Sequence, residues 1–186
     1  MYAIFGGAMM PSSLSLAACA VYFAVAVLCW RAIGAAKTAG HGNGQARLWS
    51  FLAVLFILLA VSRMLMVEEL VHKTLRGLLE AEGAYSSRRD WQAPLSAFAL
   101  VALAAAVAWI WQDSRRLDGT PKAFYLFLGK LAGLAMLGLV ALRLISFHAV
   151  DSLLYGGPHL NWVIDMGASL VAGYAAWRYR LSQPTP

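Results

Sequence analysis

Long apolar runs alternate with short polar stretches along this chain. A membrane-spanning helix needs roughly 20 consecutive apolar residues. Five runs reach or approach that length, at about residues 13–30, 48–67, 91–112, 123–150 and 161–177. The runs are long and rich in Ala and Leu, and they lack the closely spaced turns of a barrel's short alternating strands. Local signals mark where helices begin. Pro11-Ser12-Ser13 precedes the first run with cap residues. Thr120-Pro121 precedes the fourth as a cap followed by a first-turn proline. Pro94 falls in the first turn expected of the third, where a missing N–H costs little. Between the second and third runs, Leu70, Val71, Thr74, Leu75, Leu78 and Leu79 recur at helical spacing with charges between them. This segment predicts a helix that continues from the second span or bends near Gly77 onto the membrane surface. The pattern therefore predicts an all-α fold: a polytopic transmembrane bundle of five helices, with an amphipathic helical extension outside the membrane. Residues 1–186 are read as a single membrane domain.

Composition narrows the class further. The chain is 61% hydrophobic and 13% charged, with a mean hydropathy of +0.65. Soluble domains average about 45–50% apolar and about 25% charged, and disorder demands still lower hydrophobicity. The net charge of +6 does not signal a nucleic-acid partner, because the basic residues are scattered between apolar runs. Their placement instead orients the bundle. Arg31, Lys37 and Arg47 fall between the first two runs, Arg115, Arg116 and Lys122 between the third and fourth, and Arg178 and Arg180 after the fifth. The positive-inside rule assigns that side to the cytoplasm of an inner-membrane protein, with the N-terminus outside. Residues 1–30 carry no charge, unlike the basic start of a secretory signal, so the first run is read as an uncleaved helix. Cys19 and Cys29 stand ten residues apart, about 15 Å along a helix, too far for a disulfide. They are read as small buried apolar residues. The Gly40-His41-Gly42-Asn43-Gly44 stretch lacks the Lys-Ser/Thr pair of a phosphate loop and is read as a linker. The six prolines include no Asn-Pro-Pro element, which separates the chain from the tryptophan-rich sensory proteins that share its size and tryptophan content.

Ionisable residues inside a membrane are costly and mark functional sites by default. Arg63, Arg143 and Asp165 interrupt three different runs at one expected level, near the outer face. Lys130 lies near the inner side, where it can snorkel to the cytoplasm. Glu69 and His72 are spaced i,i+3, as are His148 and Asp151, so each pair shares a helix face. His159, Asn161 and Tyr155 fall in the same outer layer by sequence. A Glu-x-x-His pair on a helix is how some bundles supply ligands to a two-metal site. Glu69, His72, His148, Asp151 and His159 are therefore candidate metal ligands, while Arg63, Arg143, Asp165, Asn161 and Tyr155 form a candidate ligand-binding or structural polar network. The plainer alternatives are that Arg63 and Arg143 pair with Asp165 or backbone carbonyls to fix packing, and that His72 is solvated. The tryptophans, Trp49 included, read as interfacial belts. Gly129-x-x-x-Gly133 and Ser169-x-x-x-Gly173 read as close helix contacts.

Three functional readings compete. The first is a non-catalytic membrane protein, either an accessory subunit or a small-molecule binding or transport protein that uses the outer polar cluster. The second is a membrane-embedded enzyme holding a transition metal. The third is a b-type haem electron carrier ligated by His72 and His148. Expected partners are the lipid bilayer and another membrane protein or a second copy of the chain, with no nucleic acid.

Overall fold

A computed structural model describes residues 13–39, 43–65, 88–115, 120–145 and 160–183. These residues form five helices and, among them, no strand: α1 (Ser13–Thr38), α2 (Asn43–Met64), α3 (Arg88–Arg115), α4 (Pro121–Ile145) and α5 (Leu160–Leu181). Each helix exceeds the apolar run that predicts it on at least one side, because Arg, Lys and Gln are good helix formers and extend the helix beyond its apolar window. The start of α3 at Arg88 places Pro94 in its second turn rather than its first. At α4 the cap is as the sequence reads. Thr120 Oγ1 accepts the Ala123 N–H at 3.3 Å, and Pro121 occupies the first helical position. The amphipathic stretch at residues 68–82 lies outside the described residues.

Four helices, α1 to α4, are long and apolar enough to cross a membrane. The fifth is not among them, since Asn161, Asp165, Arg178 and Arg180 lower its hydropathy. It is nonetheless an integral part of the bundle. α1 packs along both α2 and α5, α5 also packs on α4, and α3 packs on α4 from the outside. Helices consecutive in the chain run in opposite directions, so α1 and α5 pack parallel, as do α2 and α4. The Tyr179 hydroxyl, near the end of α5, donates to Gln45 Oε1, near the start of α2, at 2.7 Å.

Small residues set how closely the helices approach. In α1 and α5 the buried seam is largely alanine: Ala18, Ala26, Ala32 and Ala36 on one side, Ala168, Ala172, Ala175 and Ala176 on the other. Without a solvent-driven term between helices in lipid, this close packing is the main source of adhesion. A Cβ on Gly129 would meet the Trp49 ring at 3.1 Å, and one on Gly133 would meet Leu52 at 2.7 Å. The Gly-x-x-x-Gly element thus seats α2 on α4 within the chain. A Cβ on Gly173 would meet Val25 of α1 at 3.3 Å, so the Ser-x-x-x-Gly element does the same for α5.

Trp49 corrects its interfacial reading. It is fully buried, with its ring 5.1 Å from that of Tyr179. The hollow left by Gly129 accepts the indole, so here the glycine decides the tryptophan's place. Trp30, Trp109, Trp111 and Trp177 do lie exposed on the outside of the bundle. Around them is a surface that water would not tolerate. Phe23, Phe51, Leu58, Phe98, Val101 and Leu170 are all exposed, an apolar coat far larger than a soluble monomer presents and suited to lipid tails.

Candidate functional site

Arg63 is the penultimate residue of α2, and Asp165 sits in the second turn of α5. Arg63 Nη2 donates to Asp165 Oδ2 at 3.0 Å. The Tyr22 hydroxyl of α1 donates to Asp165 Oδ1. One carboxylate therefore joins three helices. Its side chain is 0% exposed, against 24% for Arg63. Asp165 has no route to water of its own, while the guanidinium reaches the edge of the bundle.

The surroundings fix this geometry. Tyr22 is the tenth residue of α1, about 13 Å from the helix start, with its ring 6.0 Å from that of Phe56 of α2. The Ser169 hydroxyl donates to the Asp165 carbonyl at 2.7 Å, one turn along α5. Such back-bonding satisfies a buried hydroxyl within its own helix. Cys19 Sγ approaches the Ala60 carbonyl at 3.6 Å, a weak contact between α1 and α2 just beside the network. A buried charge is tolerable only when paired and hydrogen-bonded, and Asp165 meets both conditions. Arg63 is less complete: its Nε is buried with no hydrogen-bond partner among the described residues. The arrangement can hold a negative charge in an apolar interior, and among the described residues one N–H of the cation has no partner.

Of the other residues singled out by sequence, Arg143 and Asn161 fall within α4 and α5 by backbone, and their side chains lie outside the described part. Tyr155, Glu69, His72, His148, Asp151 and His159 also lie outside the described residues. Among the described residues, no group of three or more His, Cys, Asp or Glu side chains is placed to hold a metal ion. Lys130 differs from its snorkelling reading, because its ammonium pairs with Asp113 of α3. That pair is partly exposed on both sides and ties α3 to α4.

Sequence reasoning missed Tyr22. The available signal was position: a tyrosine well inside a span, away from the interfacial belts, must bury its hydroxyl and find an acceptor. No family model, curated protein or solved structure matches the chain.

Proposed function

We propose that this chain is a non-catalytic, multi-pass inner-membrane protein that binds or carries a small molecule at the end of the bundle where α2 finishes and α5 begins. The observation that supports this most is the Tyr22–Asp165–Arg63 network, with Arg63 Nε buried and unpartnered among the described residues. An enclosed N–H donor without an acceptor costs its desolvation, which an added acceptor would relieve. A ligand bearing a carboxylate or another strong acceptor would satisfy it, and the quarter-exposed side chain gives such a ligand an approach.

The orientation belongs to the same proposal. The end carrying Lys37, Arg47, Lys122, Arg178 and Arg180 faces the cytoplasm, and the network faces outward. Reporter fusions at Gly42 and Gly119 should read as cytoplasmic and one at Gly83 as external; Gly42 and Gly83 on one side would defeat the five-span topology. For binding, thermal unfolding of the purified protein against a panel of small organic carboxylates is the direct test. At least one should raise the Tm of the wild type and leave Arg63→Gln unmoved. If none does, or if both proteins respond equally, the network only holds the helices together.

A further inference from the structure

The opposite end of the bundle carries a second arrangement, independent of the network. Lys122 in the first turn of α4 places its ammonium 6.0 Å from the ring centre of Tyr179 near the end of α5. In return, Arg178 of α5 lies 5.7 Å from the ring of Tyr125 of α4, and its Nε donates to the Tyr125 hydroxyl at 3.1 Å. The two helices thus exchange cations across their shared seam. Cations over aromatic faces are held in place without being neutralised. Among the described residues neither forms an ion pair, and the carboxylate of Asp113 is taken by Lys130. Tyr125 and Tyr179 are buried, so the aromatic floor beneath the two charges is fixed.

What adjoins the cations distinguishes among anions. Tyr174 stands 6.3 Å from Tyr125 and 6.5 Å from Trp177, and both Tyr174 and Trp177 are exposed. Leu170 and Leu181 on the same helix are exposed as well. Two positive charges at a helix end, beside an aromatic rim and an apolar flank, match an amphiphile with an anionic head and an acyl tail. Basic pockets between membrane helices bind phospholipid headgroups by this chemistry, and Tyr and Trp sit naturally at headgroup depth.

We infer that Lys122 and Arg178, clasped across the α4–α5 seam by Tyr179 and Tyr125, form a binding site for the phosphate of an acidic phospholipid headgroup. The site rests on the membrane reading above but not on ligand binding at the other end. The probe is phosphatidylglycerol, titrated into the full chain in mild detergent, with phosphatidylcholine and inorganic phosphate as parallel arms. Phosphatidylglycerol should raise the Tm of the wild type, and the other two should not. Lys122→Gln together with Arg178→Gln should weaken the response roughly 30-fold, the loss expected for two cations at a membrane surface. Lys122→Arg together with Arg178→Lys should keep most of it. Should the double glutamine variant not fold, Lys122→Gln alone should still weaken the response several-fold. Equal responses to both lipids, or a glutamine variant that binds as well as the wild type, would overturn the site. So would inorganic phosphate acting alone. Carbonate washing of the source membranes separates the two failures. A protein released by carbonate overturns the membrane reading itself, whereas one that stays and does not discriminate lipids overturns the headgroup site alone.

Discussion

Arg63→Leu is expected to destabilise the bundle by about 3–5 kcal/mol, the usual consequence of stranding one member of a buried ion pair. The substitution keeps an apolar side chain of reasonable size at the end of α2, so lost packing is the smaller part. The larger part is Asp165, which is fully enclosed and would lose the guanidinium contact while its carboxylate stays buried. Asp165→Leu is the milder single change, because Arg63 is partly exposed and can turn its guanidinium outward. Removing both charges should then cost less than the two singles summed, by roughly 0.5–3 kcal/mol of coupling. Unfolding of detergent-solubilised variants measures all three. Strict additivity would mean that the 3.0 Å contact contributes nothing to stability.

Trp49→Ala is expected to cost about 3–5 kcal/mol, as for other large aromatic truncations in a packed interior. The indole fills the space between α2, α4 and α5. It touches the Tyr179 ring and closes over Gly129, so its loss opens a cavity between three helices. The cavity suggests its own control. In the wild type, Gly129→Ala drives a methyl against the Trp49 ring at 3.1 Å and should destabilise. In the Trp49→Ala background the same methyl enters empty space and should recover part of the loss. A Gly129→Ala change with the same effect in both backgrounds would show that the ring and the glycine do not share this volume.

Much of the architecture was legible because the membrane reduces folding to a few strong rules. Backbone groups in lipid must bond within their own segment, so apolar runs of about 20 residues could only become helices. The Thr120-Pro121 start and the glycine spacings in α4 were legible for the same local reason. Trp49 was not, because an indole near a helix end suits an interface as well as a core, and only the hollow opposite it, on a helix 80 residues further along, decides. The site divides similarly. Arg63 and Asp165 stand out as charges in apolar runs, at depths that bring them to one level. Tyr22 does not stand out, since tyrosine is ordinary at membrane depth and its role depends on which face of α1 meets α5. The Lys130 pair is hidden from the sequence because Asp113 falls at the end of another run, where an acid looks like part of the loop, and snorkelling accounts for the lysine by itself.

The Asp165 network also has a consequence for how the protein is made. Its carboxylate lies 143 residues after the Tyr22 hydroxyl that it accepts and 102 after the guanidinium that it pairs with. Chains emerge from the ribosome in order, at about 5–20 residues per second. For several seconds, then, α1 and α2 exist with a buried hydroxyl and a cation that lack this acceptor. Their Ala and Leu surfaces can adhere at once, but the three-helix network cannot form until α5 arrives. The last of these helices to be synthesised is thus the one that pairs the cation of α2 and accepts the hydroxyl of α1, so the network closes only with α5.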